Sequence, residues 1–301
     1  MQAPHKAIKP RSLREETLVE LLDSLWARYR ERVSYAREYE KLAERHHATF
    51  LNDHVAFRTI AWQRPQAGVF SISRLFEAFG YRAAGCYEFP DKRLSSLHFA
   101  HANPDFPKIF ISQLKAWELP DAARDLIAPS LDRHRDALCG RTLHAVAALE
   151  GAKKSPPGLL EELEAFFREL PWPLPRRADV EALERESQFG AWVLLNGYDV
   201  NHFTASVDRH GPGPLSDIDK TVAAMKAAGI PMKGEIEGER GSKLRQSATE
   251  AVQIELPVEK GTLRWTYAYF ELAERPLIDG RRFEGFFGAQ ATNLFEMTRK
   301  R

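Results

Sequence analysis

The sequence predicts an α+β protein: two βαβββ modules forming an open, curled mixed β-sheet, with an N-terminal helix and a helical insert. Two observations carry this expectation. The order strand, helix, strand, strand, strand occurs twice, and each copy stops its helix with a glycine, Gly80 and then Gly229. In addition, three of the strands alternate polar and apolar residues, so each has one face suited to packing and one suited to chemistry. A chain of 301 residues is long enough to bury the core that such a fold needs.

Taken in order, residues 12–45 read as one long helix. Leu18, Leu21, Leu22, Leu25, Trp26, Tyr29 and Val33 recur at helical spacing, and Ser12 with Glu15 makes a capping-box start. The first module follows as a strand at 54–60, a helix at 69–79, and strands at 81–89, 95–100 and 108–114. The region 116–196 is an insert with helical patterns at 122–138, 159–170 and 180–189, broken by Pro156-Pro157 and by Pro171, Pro173 and Pro175. It reads as a covering element. The second module has a strand at 199–207, a helix at 215–228, and strands at 232–237, 244–256 (long enough to carry a bulge) and 263–272. The expected divisions are therefore 1–47, 48–115, 116–196, 197–275 and 276–301.

Composition excludes several classes of function. Lys and Arg number 43 against 42 Asp and Glu, which leaves a net charge of +1 and no basic stripe for nucleic acid or an anionic membrane. Cys86 and Cys139 are isolated, as suits a reducing compartment. No apolar run reaches the roughly 20 residues that span a bilayer. The basic residues 1–14 lack the apolar centre of a secretory signal and read as a short disordered lead. The expected location is cytoplasmic.

Strand parity singles out a constellation. His54 shares a face with Ala56 and Arg58, His202 with Thr204 and Ser206, and Glu271 with Tyr267 and Tyr269. Two imidazoles and one carboxylate on separate strands form the facial triad of non-haem ferrous sites, with positions left open for substrate and oxygen. Arg58 offers a planar fork to a distal carboxylate. Arg245, Ser247 and Thr249 share a face and are candidate substrate contacts, and His98 is a candidate pocket residue. Plainer readings stand beside these. A lone strand histidine is more often structural, Glu271 can join a surface ion pair with Arg275, and Arg58 can pair with Asp53. No Gly-x-Ser-x-Gly elbow and no phosphate-binding loop is present.

The segments NDHVAFRT, GYDVNHFT, LRQSAT, AYFELAER and FEGFFGAQATNLFEMT together resemble the 2-oxoadipate dioxygenase/decarboxylase family of the vicinal oxygen chelate fold group, which is akin to hydroxymandelate synthase. The resemblance runs from His54 to Thr298 and is weakest in the insert. It implies that His54, His202 and Glu271 bind Fe(II) and that Arg58 binds a substrate carboxylate. Arg245, Gln246 and Ser247 would line the pocket. The implied reaction joins 2-oxoadipate, a 2-oxo dicarboxylic acid, with O2 to give 2-hydroxyglutarate and CO2, in the breakdown of lysine. Phe286, Phe287 and Phe295 are candidates for an apolar lid. The alternatives are another metal-dependent enzyme of the same fold (a lyase, isomerase or ring-cleaving dioxygenase) and a non-catalytic small-molecule-binding module.

Overall fold

In the computed structural model, which describes residues 4–136 and 138–288, the N-terminal pattern forms two helices, α1 (Leu13–Arg32) and α2 (Ser34–Arg45), in place of the single one expected. The stripe from Leu18 to Tyr29 is buried as its periodicity requires. The chain leaves helical space at Val33 (φ −103°, ψ 89°). There α2 turns so that Glu40 accepts from Trp26 Nε1 at 2.9 Å and from Arg30 Nε at 2.7 Å. Burial of Val33 and Tyr39 rewards the break. The expected disordered lead is also corrected from residue 5 onward. His5 is fully buried, with Nδ1 2.9 Å from Asp23 Oδ1 and its ring beside Phe203.

The first module consists of β1 (Asn52–Gln63), the short β2 (Gln66–Ala67), α3 (Val69–Ala78), β3 (Tyr81–Phe89), β4 (Leu94–His101) and β5 (Lys108–Lys115). Gly80 ends the α3 region with φ +101°, a value that side chains disfavour. The insert forms α4 (Asp121–Leu131), α5 (Gly140–Ala148), α6 (Leu159–Arg168), α7 (Arg177–Glu186) and α8 (Gln188–Asn196). Two of these, α5 and α8, were not expected. Every residue of α8 is buried, so its sequence has no polar face to mark a helical period. The insert also helps to build the core. Phe167 of α6 packs on Phe57 of β1 and Phe76 of α3, with ring centroids 5.2 and 6.0 Å apart.

The second module contains β6 (Val200–Ser206), α9 (Ile218–Ala227), β7 (Arg245–Ala248), β8 (Gln253–Pro257), β9 (Thr262–Thr266) and β10 (Glu271–Glu274). The strand expected at 232–237 is reduced to isolated bridges, Met232 to Thr249 and Glu237 to Gln246. Pro231, Gly234 and Gly238 punctuate that segment and prevent a continuous ladder. Each of the two long strands expected next is split. Their inner halves, β7 and β10, join the main sheet, while β8 and β9 form a separate ribbon. Ala248 opposite Glu271 and Gln253 opposite Thr266 keep one register, so the pair is a single long hairpin bent midway.

The main sheet runs β3-β4-β5-β1-β6-β10-β7, with β2 paired to β1. It is the open, curled mixed sheet that the sequence predicts. Helices cover its outer face, where Trp26 and Tyr29 of α1 meet Phe203 of β6, each with centroids 5.1 Å apart. The inner face carries a separate small apolar cluster of Ala56, Phe110, Leu244, Ala273 and Phe286.

Candidate metal centre

The site lies on the inner face where the two modules meet. β1 and β6 are antiparallel neighbours, with His54 opposite Thr204 and Ala56 opposite His202. This register defines a local two-fold that places His54 on His202, Asp53 on Asn201 and Ala56 on Thr204. β10 runs parallel to β6 and sets Glu271 beside Thr204. Three ligand-type side chains from three adjacent strands thus project to one side. Glu271 Oε1 lies 3.4 Å from His54 Nε2, and Oε2 lies 3.3 Å from His202 Nε2. One ligand atom from each residue lies within 4.8 Å of the others, and all three residues are buried.

Both histidines are oriented by the residue before them. His54 Nδ1 donates to Asp53 Oδ1 at 2.8 Å, and His202 Nδ1 donates to Asn201 Oδ1 at 3.0 Å. Each Nε2 lone pair is thereby turned into the site, the tautomer that a metal needs. Thr204 Oγ1 lies 3.0 Å from His54 Nε2 and donates to it. Asp53 is in turn clasped by Arg275, with Nε to Oδ2 at 2.7 Å and Nη2 to Oδ1 at 3.1 Å. Burial alone would raise the Asp53 carboxyl, but Arg275 and Lys108 hold it well below the usual carboxylate range.

The ligand set conflicts with its own surroundings unless a cation is present. Burial pushes Glu271 up to about 8, against the opposing hydrogen bond from Gln246 Nε2 at 2.6 Å. Burial likewise pushes His202 well down, helped by His54 and Arg58, and it lowers His54. Among the described residues, Glu271 Oε2 is buried without a hydrogen-bond partner. Two neutral imidazoles and a carboxylate with an orphaned oxygen fit a divalent metal ion, which would restore the charge balance that burial removes.

Around this cluster is a cavity lined by Ala56, Arg58, Phe110, Ser112, Tyr269 and Phe286 as well as the ligands. Tyr269 stacks on the His202 ring at 4.8 Å, and Phe286 meets the His54 ring edge-on at 4.9 Å. Arg58 is buried, with its guanidinium 4.9 Å from the Phe189 ring and 5.4 Å from the Trp192 ring, both on α8. It also interacts with Tyr269. The local two-fold relates Glu271 to Phe110, because Phe110 pairs with Ala56 as Glu271 pairs with Thr204. A phenyl ring therefore stands where a fourth ligand would be.

Other expected residues lie elsewhere. Arg245 and Ser247 oppose Glu274 and Leu272, on the sheet face away from Glu271. Arg245 is engaged by Asp219 at 2.8 Å and Glu274 at 3.2 Å, so neither residue is placed to touch a ligand in the cavity. In that run Gln246 is the residue that faces the site. His98 is on the inner face but sits behind Phe286, held by Tyr87 Oη at 2.9 Å and pushed down to about 4 by burial. Tyr267 leaves the face predicted by parity because residues 267–270 are not strand, and it stacks on Trp192 in the main core. Phe286 lines the cavity, Phe287 is partly exposed, and Phe295 lies outside the described residues. Sequence reasoning missed the orienting roles of Asp53 and Asn201, although an acceptor directly before each histidine was a visible signal. It also missed Arg275, Ser112 and Phe189.

Comparison with known proteins places this architecture. A family model described as 2-oxoadipate dioxygenase/decarboxylase matches residues 14–295. The chain is 29% identical over 273 residues to the chloroplastic 2-oxoadipate dioxygenase/decarboxylase of Arabidopsis thaliana, covering 82% of this chain and 67% of that protein. It is 28% identical over 272 residues to the chloroplastic/amyloplastic protein of the same description from Oryza sativa subsp. japonica, covering 82% and 68%. The crystal structure of the hydroxyglutarate synthase from Oryza sativa in complex with 2-oxoadipate superposes with a TM-score of 0.80 at 25% identity, over 97% of this chain and 94% of that one.

Proposed function

Because the chain belongs to the 2-oxoadipate dioxygenase/decarboxylase family, we propose that it converts a 2-oxo dicarboxylic acid, 2-oxoadipate in the first place, and O2 to 2-hydroxyglutarate and CO2 at a ferrous centre held by His54, His202 and Glu271. The atoms balance. One oxygen atom enters the carboxylate formed when CO2 leaves, and the other becomes the new hydroxyl. The observation that carries the reading is the buried His-His-Glu cluster opening on a cavity that also holds the Arg58 guanidinium. An α-keto acid chelates through neighbouring oxygens, and a second carboxylate at the far end of the same molecule calls for a planar cationic partner.

Ferrous iron, when bound, supplies the one-electron chemistry with dioxygen that amino-acid side chains lack. The chain's own residues do the rest. Asp53 and Asn201 fix the imidazole tautomers, and Gln246 holds one Glu271 oxygen in place. Arg58, braced on Phe189 and Trp192, is the anchor for the distal carboxylate and so sets which carbon lies next to the reacting centre. Phe110, Tyr269 and Phe286 keep water from the reactive species. Phe110 at the fourth-ligand position weighs against the lyase and isomerase alternatives, which commonly use four protein ligands.

The test is anaerobic reconstitution with Fe(II), followed by addition of 2-oxoadipate and O2 with product identification. The expected result is consumption of O2 and formation of CO2 and 2-hydroxyglutarate in equal amounts. Absence of oxygen uptake with every 2-oxo acid tried would remove the proposal. Full iron retention by His54→Ala would remove the assigned ligands.

A further inference from the structure

We propose that Arg275 is a positioning residue that couples the seating of the His54 ligand to closure of the segment 283–286 over the cavity. The inference rests on the His54, His202 and Glu271 metal site described above, and it concerns how that site opens.

Arg275 is among the most deeply buried charged residues, at 1% exposure. It lies just past β10, and its guanidinium reaches in two directions. Nε and Nη2 grip both oxygens of Asp53, whose Oδ1 also accepts a hydrogen bond from His54 Nδ1. Nη1 donates to Phe283 O at 2.9 Å and to Gly285 O at 2.6 Å. Four hydrogen bonds thus use most of the five N–H donors of the fork. Its Cζ also stands 4.8 Å from the Phe286 ring centroid. One planar cation therefore holds the carboxylate that orients a ligand and the backbone that carries the cap.

Phe286 is the plug. Its ring packs against His54 at 4.9 Å, Phe110 at 4.8 Å and His98 at 5.3 Å. Its backbone N–H donates to Tyr87 Oη at 3.1 Å, and the neighbouring Glu284 pairs with Lys108 at 2.5 Å. With the plug seated the cavity is about 30 Å³, room for one or two waters. Sites that enclose small molecules run to a few hundred Å³, so a six-carbon diacid fits only after the lining moves, and the movement proposed is withdrawal of Phe286. Withdrawal strips Arg275 of two carbonyl partners and of the ring beneath it. The same guanidinium then orients Asp53, and through it His54, with less constraint. Closure and ligand orientation are two ends of one residue.

The experiment compares Arg275→Ala and Arg275→Lys with the wild-type full chain. It measures Co(II) affinity from the visible absorption of bound Co(II), hydrogen exchange of the peptide 281–288, and the rate at which oxalate perturbs the Co(II) spectrum. Arg275→Ala is expected to weaken Co(II) binding about 10- to 100-fold, the range typical for lost ligand-orienting partners, and to speed exchange of 281–288 at least tenfold. Lysine keeps a charge for Asp53 but has no fork to span both carbonyls. Arg275→Lys is therefore expected to hold Co(II) within about threefold while still speeding exchange and oxalate entry. If Arg275→Ala does not fold, Arg275→Gln, similar in length and uncharged, takes its place with the same expectation. A folded Ala or Gln variant in which either Co(II) affinity or exchange of 281–288 is unchanged overturns the coupling. If these binding results hold while the iron-loaded wild type takes up no oxygen with any 2-oxo acid, the proposed reaction falls and the role of Arg275 stands.

Discussion

Of the three candidate ligand side chains, Glu271 is the least reconciled with its site when no cation is present. Its carboxyl is fully buried, one oxygen has no hydrogen-bond partner among the described residues, and burial lifts it from 4.5 to about 8. Proton and metal then compete for the same group. The His202 imidazole is held neutral by burial and has no proton to give up near pH 7. Metal uptake at pH 7 should therefore release close to one proton, and apparent affinity should fall about tenfold per pH unit below pH 8. Titration calorimetry in buffers of different ionisation enthalpy reads this directly, and zero release at pH 7 would contradict it. The same shift acts on folding. A carboxyl raised in the folded state contributes stability below about pH 4.5 and loses it as pH rises through 8. Chelator-treated Glu271→Gln should thus be more stable than chelator-treated wild type at pH 8.5, by about 1–3 kcal/mol, with the gap closing towards pH 5. Thermal unfolding at the two pH values decides it. His54, His202 and Glu271 were legible in the sequence because each is the polar exception in an apolar run with consistent parity. Arg275 was not, since Glu274-Arg275 reads as surface charge and only the tertiary fold brings Asp53 to it.

At the level of elements, punctuation was easy to read and all-apolar segments were not. Gly80 and Gly229 mark helix ends by needing positive φ, and the five elements of the first module fall close to their expected places. The bend in the second hairpin was legible only as a bulge in the strand 244–256, because its register continues across the break. Helix α8 was missed for the opposite reason, being apolar all round. Missing it hid the insert's part in the proposed site, since α8 supplies the rings on which Arg58 rests. Phe189→Ala should leave that guanidinium unbraced. The expected outcome is a KM for 2-oxoadipate raised more than about tenfold with a smaller change in kcat, together with a stability loss of about 3–5 kcal/mol. Phe189→Leu, which keeps most of the volume, should recover stability more fully than KM. Steady-state kinetics beside denaturant titration separates the two effects. Equal changes in KM and stability across both variants would reduce Phe189 to a packing residue.

At the scale of the whole molecule, the site is a broken two-fold. The strand pair β1 and β6 superposes His54 on His202, and symmetry would then give each module a second ligand, at Glu271 and at Phe110. The second module keeps the carboxylate and the first replaces it with an aromatic ring. A divalent metal held by His54, His202 and Glu271 would then keep a face free of protein ligands and lined with carbon, which suits a site that must admit a small apolar oxidant and a chelating substrate. The repeat itself was readable from element order, but the relation of Glu271 to Phe110 needed strand register, because the two residues share neither type nor neighbours in sequence. Restoring the symmetry is the direct trial of this account. Phe110→Glu should place a second carboxylate opposite Glu271 and make a four-ligand site. Without metal it should destabilise the protein, since a second buried carboxyl meets Glu271 and repulsion adds to the cost of burial. With Co(II) the loss should be reversed and affinity should rise at least tenfold, while oxygen consumption with 2-oxoadipate under Fe(II) should fall by more than tenfold as the open position closes. Phe110→Gln, neutral and of similar length to Glu, should show little gain in affinity. A Phe110→Glu protein that binds Co(II) no better than wild type would mean that the local two-fold does not extend to the ligand positions.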